Sequence, residues 1–234
     1  FAHKPSAGIV ANSGHFPWRN DPSPAAIMAA QGPLARSAAD LELLFDVLCA
    51  PDGLDGRAWR IELPAPRFER LAGCRIGILQ LPAWIPVEQP FGGRAGYYRA
   101  YLTHLQCVLG GTMPPGARGK AAAKMRSYDD PFLGAVADGL EAHAGLMLEM
   151  LQVSLQHRAA WEAVFADVDV LLSPVCNVNA FPHDDAFFYD RQLLIDGVAH
   201  PYYRLSAIPA LASLAGLPAT VFPTGRFAAT GAPI

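Results

Sequence analysis

Residues 32–52, GPLARSAADLELLFDVLCAPD, carry the start, the face and the stop of one helix. Ser37 has the short hydroxyl side chain that caps a helix N-terminus by accepting a hydrogen bond from an amide of the first turn. Asp40, three residues on, sits where a capping-box partner returns that bond, and where negative charge meets the positive end of the helix dipole. Leu41, Leu44, Phe45 and Leu48 recur at i, i+3, i+4 and i+7. They form one apolar stripe, expected to lie buried against a sheet. Pro51 and Gly53 then stop the helix near Cys49.

The neighbouring segments supply the sheet. RIGILQ (75–80) is short, apolar and β-branched between Gly73 and Pro82, which predicts a buried strand. VDVLLSPV (168–175) predicts a second, ending at Ser173-Pro174, and GLPATVFPTG (216–225) a third. An aromatic-rich helix is expected from about Arg94 to Leu109, broken by GGTMPPG (110–116). One long helix or two joined ones are expected between Leu133 and Asp167. In FFYDRQLLIDGVAHPYYR (187–204), Asp196-Gly197 is a hairpin signal between short extended runs. Residues 205–215 read as helix, with Pro209 confined to its start or to a kink. HFPWRNDPSP (15–24) is rich in turn formers and reads as irregular. Strands alternating with long helices indicate an α/β architecture with both faces of the sheet covered by helices.

At 234 residues the chain is long enough to bury a sizeable core, and its 52% hydrophobic and 17% charged composition excludes disorder. A net charge of −3 with no basic run points away from nucleic acid and from anionic membrane. Affinity is therefore expected to come from a shaped pocket. No apolar run reaches membrane-spanning length and the N-terminal residues lack the layout of a secretion signal, so cytoplasmic residence is expected. Cys49, Cys74, Cys107 and Cys176 are scattered without a C-x-x-C pair and read as reduced core residues.

Chemistry is harder to find. His183-Asp184-Asp185 has no second ligand group at metal spacing and reads as a solvated loop, and no other metal site is expected. His143, Glu149 and His157 do not form H-E-x-x-H. There is no G-x-S-x-G elbow and no phosphate loop, and the glycine pairs 92–93 and 110–111 read as turns. From the residues alone no complete catalytic constellation emerges, and no cofactor is implied.

Several segments together resemble the amidase signature family of amide hydrolases. Residues 32–52 are similar to its G-P-[ML]-[AT]-R-S-x-x-D helix start, through Gly32, Pro33, Arg36, Ser37 and Asp40. LAGCRIGIL (71–79) resembles the strand that follows, and RAAWEAVFADVDVLLSPV (158–175) the late helix and strand. GLPATVFPTG resembles the G-L-P-A-x-x-x-P-x-G segment, while residues 84–128 match only in general character. FAHKPSAGIV (1–10), with Lys4 and Pro5, resembles the K-P-[TS] tail that follows the family's glycine- and serine-rich loop.

The resemblance implies a mixed twisted sheet, here incomplete, and a single partial amidase-like domain over residues 1–234. It implies carboxamide C–N hydrolysis (esters also being open to it) through a serine acyl-enzyme, without cofactor, on a small-molecule amide. The family's nucleophile, oxyanion amides and catalytic lysine belong to segments upstream of the K-P-[TS] tail, so no residue of this chain is assigned a catalytic role. Lys4, Pro5, Gly32, Pro33, Arg36, Ser37 and Asp40 are read as structural, with Arg36 needing a partner if partly buried. Ser173, Pro174, Val175 and Cys176 follow the end of a strand, where α/β proteins place ligands, and with Phe181 are the expected cleft wall. Phe187, Phe188, Tyr189, Tyr202 and Tyr203 offer an aromatic cluster, mostly core.

Read this way the chain is an internal, truncated portion of such an enzyme. A hollow is expected between residues 1–10, 173–181 and 216–224, with open strand edges that favour aggregation or a homo-oligomer. Two other classes stay open: a non-catalytic binding or partner subunit on the same scaffold, and the amidotransferase subunit that delivers ammonia to charged tRNA, placed last on low basicity.

Overall fold

The computed structural model describes residues 1–12, 27–51, 53, 55–79, 93–228, 230–232 and 234. The turn-rich stretch 15–24, Gln80 and Gly92 lie outside them.

Helices dominate. Strand β1 (Ala2–Lys4) is followed by helix α1 (Ala38–Leu48), then strand β2 (Ile76–Ile78). Helices α2 (Gly93–Gly111), α3 (Pro115–Arg126), α4 (Pro131–Leu140) and α5 (Ala144–Asp167) come next. Strand β3 (Val170–Leu172), the hairpin β4 (Gln192–Ile195) and β5 (Val198–Pro201), helix α6 (Pro209–Leu214) and strand β6 (Ala219–Val221) complete the order. The region 133–167 is thus two helices, and α3 is a helix that no apolar periodicity announces.

The described strands form three two-stranded sheets: β1 with β6 antiparallel, β2 with β3 parallel, and the β4–β5 hairpin. That replaces the expected single twisted sheet; the mixed α/β character is retained. The hairpin turns at Asp196 (φ 52°) and Gly197 (φ 79°), both in the left-handed region that a two-residue turn demands.

The core sits among the helices. Tyr98, Leu102, Ala122, Met125, Leu133, Val136, Ala137 and Leu140 join with Tyr203 and Ala210 in one buried cluster. Helices α2 and α4 approach closely enough at Gly139 that an added Cβ would meet the Thr103 carbonyl and lie 2.7 Å from the Gln106 Cβ. Tyr98 Oη donates to the Tyr203 carbonyl at 2.8 Å, and Tyr97 Oη to the Leu211 carbonyl at 2.7 Å, tying α2 to the segment around α6.

Helix α1 is capped as its sequence demands, the Asp40 amide donating to Ser37 Oγ at 3.0 Å. Among the described residues the Asp40 carboxylate makes no return bond, so the box is half closed. The apolar stripe is a correction: Leu41 is buried and Phe45 half-buried, but Leu44 is 41% exposed and Leu48 is exposed as well. The helix meets β1 through Phe45, whose ring lies edge-on to His3 at 4.9 Å. A three-residue strand spans only about 10 Å and cannot cover such a stripe.

Strands β2 and β3 are corrected likewise, since their expected burial fails on one face. Arg75 and Asp169 lock their register through a forked pair, Nε to Oδ2 at 3.1 Å and Nη2 to Oδ1 at 3.0 Å. The Arg75 amide adds a bond to Oδ2 at 2.9 Å, and together these donors hold the Asp169 pKa down at about 2. The four cysteines are free, as expected, but half-buried rather than core.

Candidate functional site

Of the residues grouped as a structural motif, Lys4, Pro5, Gly32 and Pro33 lie on two segments that meet, residues 1–5 and 32–35. The His3 amide donates to the Pro33 carbonyl at 3.1 Å and the Ala35 amide to the Phe1 carbonyl at 3.0 Å. Pro5 and Pro33 are buried, and Gly32 passes so close to β1 that a Cβ would strike the His3 carbonyl oxygen. Arg36 is exposed, so the expectation that it needs a buried partner does not apply. Lys4 is half-buried, its Nζ donating to the Pro5 carbonyl at 3.0 Å, and burial lowers its pKa.

Of the three segments expected around a hollow, two meet. β1 pairs with β6 from Ala2↔Val221 to Lys4↔Ala219, and the Ala7 amide donates to the Gly216 carbonyl at 3.1 Å. The expected cleft wall does not converge with them in any described contact. Ser173, Pro174 and Val175 are exposed beyond the end of β3, and Cys176 is half-buried, its Sγ turned to the Val178 carbonyl.

Phe181 leads elsewhere. Its ring lies edge-on to Tyr202 at 5.7 Å, Tyr202 edge-on to Phe188 at 5.3 Å, and Phe188 edge-on to Tyr189 at 5.0 Å. Tyr189 in turn meets Tyr203 at 5.9 Å. The aromatic cluster therefore exists, but only Tyr203 is fully buried and Phe187 and Phe188 are exposed.

This chain of rings ends at a cavity of about 290 Å³ lined by Tyr128, Asp129, Asp130, Leu133, Tyr189, Asp190, Gln192, Pro201 and Tyr203. It is bounded by the turn between α3 and α4 and by the base of the β4–β5 hairpin. Asp130 is there because it caps α4, accepting from the Phe132 amide at 2.9 Å, with Pro131 at the first helical position.

Two parallel networks line the cavity. Tyr203 Oη donates to Asp130 Oδ2 at 2.6 Å, and Arg204 Nη2 donates to the same oxygen at 3.0 Å. Tyr128 Oη donates to Asp190 Oδ1, and Lys124 Nζ lies 3.6 Å from Asp190 Oδ2 and 3.6 Å from the Phe187 ring centre. Burial works against ionisation of Asp130, but the bonds from Tyr203, the Phe132 amide and Arg204 outweigh it and its pKa is lowered. Burial first, then Asp130, raises the Tyr203 pKa; Asp190 first, then burial, raises that of Tyr128. The phenols thus stay protonated as donors. Among the described residues no Ser, Thr, Cys, Lys or His lines this cavity, whose polar side chains are phenols, carboxylates and one amide that can hold and orient a polar molecule.

Sequence reading missed Tyr128, Asp130 and Asp190. Asp130-Pro131 was legible as a cap followed by a first-turn proline, but nothing local links it to a partner more than seventy residues away. Among the described residues no group of three or more His, Cys, Asp or Glu could hold a metal ion. Nor is any described helix long and apolar enough to cross a membrane.

No protein-family model matches the chain. It is 27% identical to a subunit of the glutamyl-tRNA(Gln) amidotransferase of Thermus thermophilus, across 95% of this chain and 53% of that protein. Its fold is similar to a solved structure described as an unexpected vestigial protein complex that reveals the evolutionary origins of an s-triazine catabolic enzyme. That likeness has a TM-score of 0.58 at 21% identity and covers 99% of this chain and 52% of the other; an inhibitor-bound form of the same complex gives the same values. The chain spans about half the length of the relatives it matches.

Proposed function

We propose that this chain is one portion of an amidase-type enzyme that breaks a carboxamide C–N bond, as a hydrolase or as an amidotransferase, and that it supplies scaffold and cleft wall rather than the nucleophile. The observation that carries this reading is the likeness to the Thermus thermophilus amidotransferase protein along 95% of the chain. The ordered motifs at residues 1–10, 32–52, 158–175 and 216–225 support the same reading. Charge composition places transfer to tRNA last among the alternatives, and the name of the relative returns it to equal standing with hydrolysis.

The cleft wall remains Ser173 to Cys176 and Phe181 in this reading, with the Tyr128–Asp190 and Tyr203–Asp130 pairs holding the aromatic wall in place. The acyl-accepting serine and the oxyanion donors would come from the portion of the relatives that this chain does not match. Losing one oxyanion donor alone costs a factor of about a hundred to a thousand in rate. The purified chain is therefore expected to release no ammonia from a panel of aliphatic and aryl carboxamides. Coexpressed with the unmatched half of the Thermus thermophilus protein, it is expected to do so. Turnover by the chain alone that disappears in Ser173→Ala would place the nucleophile here and overturn the assignment. A stable complex with no turnover on any amide would favour the second reading, a non-catalytic partner on the same scaffold.

A further inference from the structure

The cavity beside the aromatic wall has the chemistry of a receptor for positive charge. Tyr128 and Tyr203 spend their only phenolic protons on Asp190 and Asp130, so what these four side chains still offer a guest is lone pairs. The same corner already holds two of the chain's own cations, each between a carboxylate and a ring. Lys124 Nζ lies 3.6 Å from Asp190 Oδ2 and 3.6 Å from the Phe187 ring centre. Arg204 donates to Asp130 Oδ2 at 3.0 Å, and its guanidinium carbon lies 5.2 Å from the Phe132 ring centre. Asp129 is the third carboxylate of the lining, and among the described residues it has neither a side-chain hydrogen bond nor an ion pair. Two cations against three carboxylates leave one negative charge at the cavity. The rings of Tyr189 and Tyr203 meet at 55° with centres 5.9 Å apart, an aromatic corner of the kind that attracts a cation.

We propose that this cavity binds a small primary alkylammonium ion, whether or not the chain takes part in breaking an amide. Three features select that class of ligand. Among the described residues no three His, Cys, Asp or Glu side chains gather closely enough to hold a metal ion, so the three carboxylates of the lining do not share a bare cation. The occupant therefore has molecular size, and a volume of about 290 Å³ stands at the lower limit of small-molecule pockets. An ammonium group has three donors and no acceptor, which suits the Asp129 carboxylate, the phenol oxygens and the Gln192 side-chain carbonyl. A quaternary ammonium would leave those acceptors unmet. Leu133 and Pro201 supply apolar surface for a short alkyl stem.

The test is a titration of the whole chain with n-butylammonium chloride at constant ionic strength, followed by calorimetry and by the ring resonances of its tyrosines. Saturable binding is expected, with shifts at Tyr128, Tyr189 and Tyr203. Asp129→Asn removes no described bond of the fold, and it is expected to weaken binding about tenfold with thermal unfolding unchanged. Tyr189→Leu is expected to weaken it several-fold. Asp196→Asn, a change of equal charge at the exposed tip of the hairpin, is expected to leave the affinity as it was. Tetramethylammonium, which has no donor, and n-butanol, which has no charge, are expected to bind at least about tenfold more weakly. Wild-type protein that shows no saturable shift at the three tyrosines overturns the proposal. So does an equal affinity for n-butanol or tetramethylammonium, or displacement of the amine by an equal concentration of calcium chloride. Equal weakening by Asp129→Asn and Asp196→Asn also overturns it, since the attraction would then belong to the surface charge as a whole.

Discussion

Single side chains decide how tightly the helical core is held. Gly139 lies where α4 crosses α2, and the atoms that a Cβ would meet include the Thr103 backbone carbonyl, which cannot swing aside. Replacing glycine by alanine inside a helix gains about 1 kcal/mol of propensity, but forcing α2 and α4 apart costs about 1–3 kcal/mol. Gly139→Ala is therefore expected to lower the urea midpoint, whereas Gly134→Ala on the same helix, where a Cβ meets nothing within 4 Å, is expected to raise it. His104 is a different liability. It is 1% exposed, and among the described residues neither ring nitrogen has a hydrogen-bond partner. Burial lowers its pKa from the ordinary 6.5. A base whose folded pKa is depressed binds its proton more readily when unfolded, so its neutral form favours the fold above pH 6.5. Stability is lost as pH falls below that value toward the folded pKa. His104→Leu removes an unsatisfied buried group at a site worth about 1–3 kcal/mol. Denaturation at about pH 8 and about pH 5.5, either side of the ordinary histidine pKa, should show the variant more stable at both and less sensitive to the change. An unchanged pH slope would assign it to His3 and His157, whose pKa values burial also lowers.

Among the elements, the β2–β3 pair depends more on the Asp169 carboxylate, forked with Arg75 and 3.6 Å from Arg67, than on burial. Arg75 also donates from Nη1 to the Ala166 carbonyl at 2.8 Å, so the same residue fastens the end of α5 to the start of β2. Asp169→Ala is expected to release β2 while leaving α5 and the hairpin in place, read as faster amide exchange at Ile76 to Ile78. Its pH dependence has a definite sign. The carboxylate pKa is about 2 in the fold against 3.8 unfolded, so the pair contributes fully above pH 3.8 and is lost as pH falls through 2. The difference between wild type and variant should be flat above about pH 4 and vanish near pH 2. These elements also show what a sequence can carry. The hairpin was legible because Asp196-Gly197 encodes its turn locally, and α1 because Ser37 encodes its start. Both parallel strands were legible as strands from their branched residues, but their exposure was not, because burial belongs to the partner surface and not to the strand. Helix α3 escaped notice because PGARGKAAAKMR buries only Ala122 and Met125 and so has no apolar period to read. The cavity was illegible for the same kind of reason, its two tyrosine–aspartate pairs joining residues 62 and 73 positions apart.

At the scale of the whole molecule the buried side chains are unevenly distributed, and stability should follow them. In residues 1–79 the fully buried positions among those described are Pro5, Val10, Pro33 and Leu41. The contiguous core lies instead among α2, α3, α4 and the segment from Tyr203 to Ala210. Regions with few buried contacts open locally, at a free energy below that of global unfolding, while a contiguous core opens only when the whole chain does. Native-state hydrogen exchange in increasing low denaturant should therefore divide the chain. Amides of α2 and α4 are expected to exchange with the full denaturant dependence of global unfolding. Those of α1 and β2 should exchange through openings nearly independent of denaturant. If α1 and β2 instead merge with the helices at zero denaturant, the molecule is one cooperative unit and the uneven burial does not divide it.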